Sequence, residues 1–318
     1  MRYYSLFNQN FVVQLVLNLN TMKNILFAND FTENSEIALK YAIQLCKKTK
    51  AKLYVIHVFD ISALLANPTE IPYFPNVDGE LLEAQKNKLK EQFLNIAQDD
   101  SKTIDVVFDS FEHTSVSMCI VEKAEAYKAD LLIMGAHGKR QFLEFLIGSN
   151  TKSVISESSC PVFVVPTETE FHLPEKIIFA SDISADNVEA LHALVSIAKL
   201  FDAKISIIHV STDYESFSLN RMNDFKKQIT LEINYPKLSF EFLLSNDINE
   251  RLDEYVKEHN INLIAMIEHE GKGFFARLFQ TDHVKNMISL TQIPILCFNQ
   301  KYLVKRSFLE AEAKMKLH

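Results

Sequence analysis

Glycine is scarce in this chain: six among 318 residues. Where so few glycines cluster, they mark backbone that cannot carry a side chain or that something approaches closely. Cysteine is sparse as well. Cys46, Cys119, Cys160 and Cys297 stand far apart with no Cys-x-x-Cys pair, which excludes a zinc ribbon or a disulfide framework and leaves free thiols suited to a reducing cytoplasm. Positive charge is not in excess: 33 Lys and Arg face 41 Asp and Glu, for a formal net charge of −8. Nucleic acid would bind against that field, so it is not expected as a partner. Tryptophan is absent and excludes nothing. The apolar run Phe11–Leu17 is too short to cross a bilayer, so no membrane partner is expected. No small-residue cleavage site follows it, which argues against a signal peptide. Met22-Lys23-Asn24-Ile25-Leu26-Phe27 opens directly into a strand pattern. Residues 1–21 therefore read as a non-native or disordered extension ahead of a start at Met22.

Three of the six glycines fall within fourteen positions, in Gly135-Ala136-His137-Gly138 and then Gly148-Ser149. The apolar run Asp130–Met134 before them reads as a buried parallel strand. Ser149-Asn150-Thr151-Lys152 after Gly148 reads as a helix start. A strand, a glycine turn, a second glycine and a helix N-terminus suit phosphate, because backbone N–H groups and the positive end of the helix dipole face it. A glycine after a strand also serves as a plain turn, and that alternative stays open.

The chain repeats itself. Ile25–Val58 aligns with Ile177–Val210 at a shift of 152 without gaps, with 12 of 34 positions identical, against about two expected from average composition. Later segments align at a shift of 132, so that His137 meets His269 and Leu146 meets Leu278. The first copy thus carries extra residues, assigned to a Pro-rich loop over Asn67–Asp78. Each copy reads as strands alternating with helices, which implies parallel βαβ units. The expected fold is α/β: two tandem open parallel five-stranded sheets flanked by helices, Rossmann-like. The expected domains are 22–166 and 174–299, followed by a charged helical tail at 300–318. Ligands in such sheets sit beyond the carboxyl ends of the strands, where the strand order switches, and Asp30 and Gly135 would both lie on that edge.

With its Asp-Phe-Thr-Glu-Asn-Ser turn at 30–35, Val-Ile-His-Val at 55–58 and Gly-x2-Gly-x9-Gly-Ser at 135–149, the chain resembles the universal stress protein family in a tandem form. The glycine pattern matches that family's ATP-binding subgroup. The resemblance implies an adenine nucleotide, ATP with Mg²⁺, as ligand. It implies that Asp30 contacts the adenine or ribose side, with Ala28 and Asn29 before it where the family often has Pro-Thr. It implies that Val58 lines the adenine pocket and that Met134 lies under the ribose. Gly135, His137, Gly138 and Lys139 would form the phosphate turn, and Gly148, Ser149, Asn150 and Thr151 would bring backbone and hydroxyl donors. Asp30 could instead cap the following helix. His57 and His209 read as strand-end histidines with a structural hydrogen bond, and His137 recurs as His269, which fits a structural role as well as a ligand role.

The second copy departs from the motif. Gly135, Gly138 and Gly148 become Ile267, Glu270 and Gln280; the branched side chain blocks close approach and the carboxylate repels phosphate. One nucleotide site per chain is expected, in the first copy, with the second copy as a built-in partner domain. The last strands, Val162–Val165 and Ile295–Phe298, could pair within the chain, and a homodimer is a further option. The expected role is a cytoplasmic, nucleotide-dependent sensor or adaptor in stress response, acting on a protein partner the sequence does not identify. The alternatives are a slow ATPase or adenylate-handling enzyme, and a nucleotide-free tandem scaffold. Neither a GxxxxGK[ST] loop nor a Ser-Gly-Gly-x-Asp-Ser loop occurs, so weak ATP hydrolysis is the most that is expected.

Overall fold

The computed structural model describes residues 22–61, 77–136, 148–166, 169–184, 186–211, 216–268 and 292–315. The first half runs β1 (Asn24–Ala28), α1 (Glu33–Thr49), β2 (Lys52–Phe59), α2 (Val77–Ala97), β3 (Val106–Glu112), α3 (Val116–Ala126), β4 (Leu131–Gly135), α4 (Ser149–Glu157) and β5 (Val162–Val165). The second runs β6 (Lys176–Ala180), α5 (Asn187–Phe201), β7 (Lys204–Ser211), α6 (Ser216–Glu232), β8 (Leu238–Leu244), α7 (Ile248–His259), β9 (Leu263–Glu268), β10 (Ile295–Asn299) and α8 (Gln300–Met315).

All strands join one ten-stranded sheet in the order β3-β2-β1-β4-β5-β10-β9-β6-β7-β8. The strands are parallel within each half. Among the described residues the one antiparallel pair is β5 with β10, where Val164 faces Ile295 and Val162 faces Cys297. The two five-stranded sheets expected from the sequence are thus fused into one through their last strands.

Strand alternation sends side chains to opposite faces, and each face carries a core that runs through both halves. Ile25, Phe27, Leu53, Val55, Leu131 and Ile133 pack under α1 with Phe163, Phe179 and Leu296. Leu26, Ala28, Ile56, Val58, Leu132 and Met134 pack under α3 and α4 with Ile178, Ile264 and Ile295.

Local chemistry sets the helix ends. Thr32 caps α1 by accepting from the Ser35 amide, Glu33 and Glu36 lie in its first turn, and Lys47 and Lys48 lie in its last; each complements the helix dipole. Lys50 closes α1 in the left-handed region, with its amide on the Cys46 carbonyl.

The structure corrects one expectation. Helix α2 begins at Val77, so the end of the supposed Asn67–Asp78 loop is helical; residues 62–76 lie outside the described residues. Strand β3 begins at Val106, where pairing with β2 sets its register from Leu53–Val106 to Phe59–Glu112. The tail is the helix expected, and it is docked: Leu303 is buried and shares a core layer with Leu191 and Leu194 of α5. Residues 1–21 lie outside the described residues.

Candidate functional site

The strand order reverses between β1 and β4, the position where an open α/β sheet offers a crevice. Ala28 and Met134 face each other there in adjacent strands. With Val58 they belong to one apolar layer with Val154 and Ile155 of α4. Val58 and Met134, assigned to the adenine and ribose sides, therefore come together with Ala28 on one sheet face, and each is buried.

The crossover from β4 to the parallel strand β5 places the start of α4 at the same carboxyl edge. Gly148 is the cap residue of α4, at φ −57° and ψ 156°, and contributes no side-chain hydrogen bond. The helix dipole and first-turn amides are thus presented without a side-chain acceptor from the cap. Ser149 and Asn150 are exposed, whereas Thr151 is 2% exposed, so its side chain is turned into the protein. His137, Gly138 and Lys139 lie outside the described residues.

Three other assigned residues are committed to the protein itself. The Asp30 Oδ1 accepts from the Thr32 amide at 3.1 Å and the Thr32 hydroxyl at 2.6 Å, and also from the Ser35 hydroxyl. This is an Asx-type cap of the turn into α1. The Asn29 amide donates to the Ile56 carbonyl at 2.8 Å, and its own carbonyl accepts from His57 Nδ1 at 2.8 Å. Its side chain accepts from the Phe31 amide at 2.7 Å and donates to Gln92 Oε1 at 2.5 Å. Gly135 is glycine for a packing reason: a Cβ there would lie 3.0 Å from Asn34 Cβ and 3.1 Å from the Ser35 nitrogen. The N-terminus of α1 thus packs on the side of Gly135 where a Cβ would lie.

His57 takes the structural role. Its Nδ1 must carry the proton to donate to a carbonyl, and burial lowers its pKa, which keeps the ring neutral. The ring lies 4.5 Å from that of Phe31, over which Lys88 Nζ sits at 4.0 Å.

Sequence reasoning missed Asn34, whose Nδ2 donates to the Ala136 carbonyl at 2.8 Å and ties α1 to the end of β4. Nothing in the pattern separates it from an ordinary first-turn asparagine. It also missed Glu268, the charged end of the apolar strand Leu-Ile-Ala-Met-Ile-Glu. Burial pushes its carboxyl up to about 7, against the opposing charge of Lys152. The four cysteines are free and buried, and burial raises Cys46 and Cys160 to about 12, which leaves them unreactive. Among the described residues no group of three or more His, Cys, Asp or Glu could hold a metal, and no helix is long and apolar enough to cross a membrane.

Residues 21–166 match the family described as the universal stress protein family. Universal stress protein MJ0577 of Methanocaldococcus jannaschii is 33% identical over 157 residues, which is 45% of this chain and 94% of that protein. Universal stress protein MJ0531 of the same organism is 32% identical over 146 residues, 46% of this chain and 83% of that protein. A crystal structure of a universal stress protein from Archaeoglobus fulgidus DSM 4304 superposes with a TM-score of 0.60 at 20% identity, over 87% of this chain and 96% of that one; that likeness concerns the fold.

Proposed function

The chain belongs to the universal stress protein family, and from that premise we propose that its first half binds one adenine nucleotide, ATP, and that the chain is a nucleotide-dependent sensor or adaptor of the cytoplasm. The observation that carries this reading is the α4 N-terminus. It opens on Gly148 with no side-chain cap, at the carboxyl edge where Ala28, Val58 and Met134 form one apolar wall. A purine and ribose fit against such a wall, and phosphates fit the helix start. Ser149, Asn150 and the glycine turn are the residues that would hold the phosphates. Mg²⁺ would be carried chiefly by the phosphates themselves, as is usual for that ion.

Binding, not turnover, is the proposed role. Asp30 spends its Oδ1 on the turn, which is the work of a cap and not of a catalytic base. A second reading, a tandem scaffold without nucleotide, is favoured by Gly135 and Asp30, since packing and capping account for both.

Ligand-induced stabilisation separates the two. ATP with Mg²⁺ is expected to raise the unfolding midpoint of the full chain by about 3 °C or more at 100-fold excess over its dissociation constant. Adenosine should do so only at concentrations at least about tenfold higher, the cost of losing roughly 1.4 kcal/mol of phosphate contact. Gly148→Gln, which places the second half's Gln280 residue type at the cap, should remove the ATP preference. Equal responses to adenosine and ATP would rule out the phosphate seat, and no response to either would favour the scaffold.

A further inference from the structure

The chain leaves β4 under the hold of one side chain. Asn34, in the first turn of α1, is 7% exposed, and its Nδ2 donates to the Ala136 carbonyl at 2.8 Å. The Ala136 amide donates to the Val165 carbonyl at 2.7 Å. That second bond continues the ladder between β4 and β5, whose last registered pair is Gly135 with Val165. The bond from Asn34 does different work, because it fixes the direction of a carbonyl where the ladder stops.

Direction matters because a trans peptide is planar, with its N–H opposite its C=O. Helix α1 lies on the sheet face that carries Ile25, Phe27 and Ile133. The wall of Ala28, Val58 and Met134 lies on the other face, and the Ala136 side chain joins it there. With the carbonyl drawn towards α1, the N–H of the same peptide unit is presented on the side of that wall. The reverse orientation would set a carbonyl oxygen, with its partial negative charge, against a phosphate. The second half lacks this device along with the glycines. Asp186 stands at the position of Asn34, and an ionised carboxylate has no proton to donate to a carbonyl. Asp186 also makes no side-chain cap bond at the start of α5.

We propose that Asn34 is a positioning residue for the phosphates: its amide turns the Ala136 carbonyl away from the ligand edge and so aims the N–H of that peptide unit at it. The proposal rests on the nucleotide reading above, and the two fail in different ways. Packing does not need the amide. The atoms of Asn34 that a Cβ on Gly135 would meet are its Cβ and its backbone carbon, and alanine keeps both. Asn34→Ala therefore removes the donor and leaves the close approach of α1 as it is.

The test is calorimetric titration of the full chain with ATP and Mg²⁺ and, separately, with adenosine, for the wild type and Asn34→Ala. The variant should bind ATP about tenfold more weakly and adenosine within about twofold of the wild type. The readout is the ratio of the two affinities, which a merely structural asparagine would not move. Should Asn34→Ala not fold, Asn34→Asp, which has the same shape without the donor, is measured in its place and should lose at least as much of the ATP preference. A wild type that prefers ATP beside a variant that keeps that preference overturns the role of Asn34 alone. So does an equal fall in both affinities. A wild type that binds neither ligand, or both equally, overturns the phosphate seat and the role of Asn34 with it.

Discussion

Among the described residues the two halves share their strand order and several turns while their side chains diverge, and the points of divergence separate packing from ligand chemistry. Three non-glycine residues of the first half with positive φ have a counterpart at the aligned position of the second: Phe31 with Ile183, Lys50 with Asp202, and Lys128 with Asn260. His57 and His209 each place Nδ1 2.8 Å from the carbonyl that follows the first strand of their half, on Asn29 and Ser181. Asp130 accepts from the Lys23 and Asn24 amides, and Asn262, at the aligned position, accepts from the Lys176 amide. Asp182 repeats the work of Asp30 by accepting from the Ser184 amide and the Asn187 side chain. Features shared by a half with the glycine motif and a half without it belong to the fold. Features confined to the first half remain as candidates for a ligand: the α4 cap at Gly148 and the turn that precedes it.

The contrast is sharpest at Gly135 and Ile267. In the first half α1 starts at Glu33 and leans on Gly135. In the second, α5 starts at Asn187, two positions later in the aligned frame, and Ile267 is packed in the same core as Val188. Retreat of the helix start makes room for the branched side chain. Gly135→Ile should therefore cost about 3 kcal/mol or more, since the clash falls on backbone that cannot rotate away. Denaturant unfolding reads this directly, and a cost under about 1 kcal/mol would mean that α1 retreats freely.

Smaller effects follow at the seam. Asn299→Ala removes an amide that bridges two α4 carbonyls and caps Tyr302, and should cost about 1–3 kcal/mol. Hydrogen exchange should then rise in α4 and α8 ahead of the rest of the sheet.

Glu268 sets a pH dependence. Its folded carboxyl is raised from 4.5 to about 7 by burial, so the folded chain holds the proton more tightly than the unfolded chain. The resulting stability is fully present below about pH 4.5 and is lost as pH rises towards 7. The wild type should lose about 1 kcal/mol relative to Glu268→Gln across that window, because solvent screens a half-buried carboxyl. Parallel pH curves would show that the carboxylate is solvated.

The smallest effect is expected at Asp30. Asparagine keeps the turn acceptor, so Asp30→Asn should cost under about 1 kcal/mol, matched by Asp182→Asn, and should leave ATP affinity within about threefold. A larger loss of affinity with unchanged stability would return Asp30 to the ligand.

Much of this organisation is legible in the sequence, because it rests on local signals. The shift of 152 residues and the apolar runs Ile25–Ala28 and Leu131–Gly135 mark the strands, and Val162–Val165 coincides with its expected limits. The β5–β10 pairing was open to inference because two short apolar edge strands end the repeats. What was not legible depends on contacts across the fold. The start of β3 is set by its partner strand, and the docking of α8 by Asn299 reaching across the seam. The reason for Gly135 lies in Asn34, roughly a hundred residues away in the chain. A glycine selected for close approach looks the same in sequence whether an anion or a helix approaches it.

The central claim is that one nucleotide site exists per chain and lies in the first half. Calorimetric titration of ATP with Mg²⁺ into the full chain, beside Gly138→Glu, tests it most directly, because that substitution places the second half's Glu270 residue type in the phosphate turn. The account predicts one ATP per chain in the wild type and none in the variant. Two ATP per chain, or one retained by Gly138→Glu, would contradict it.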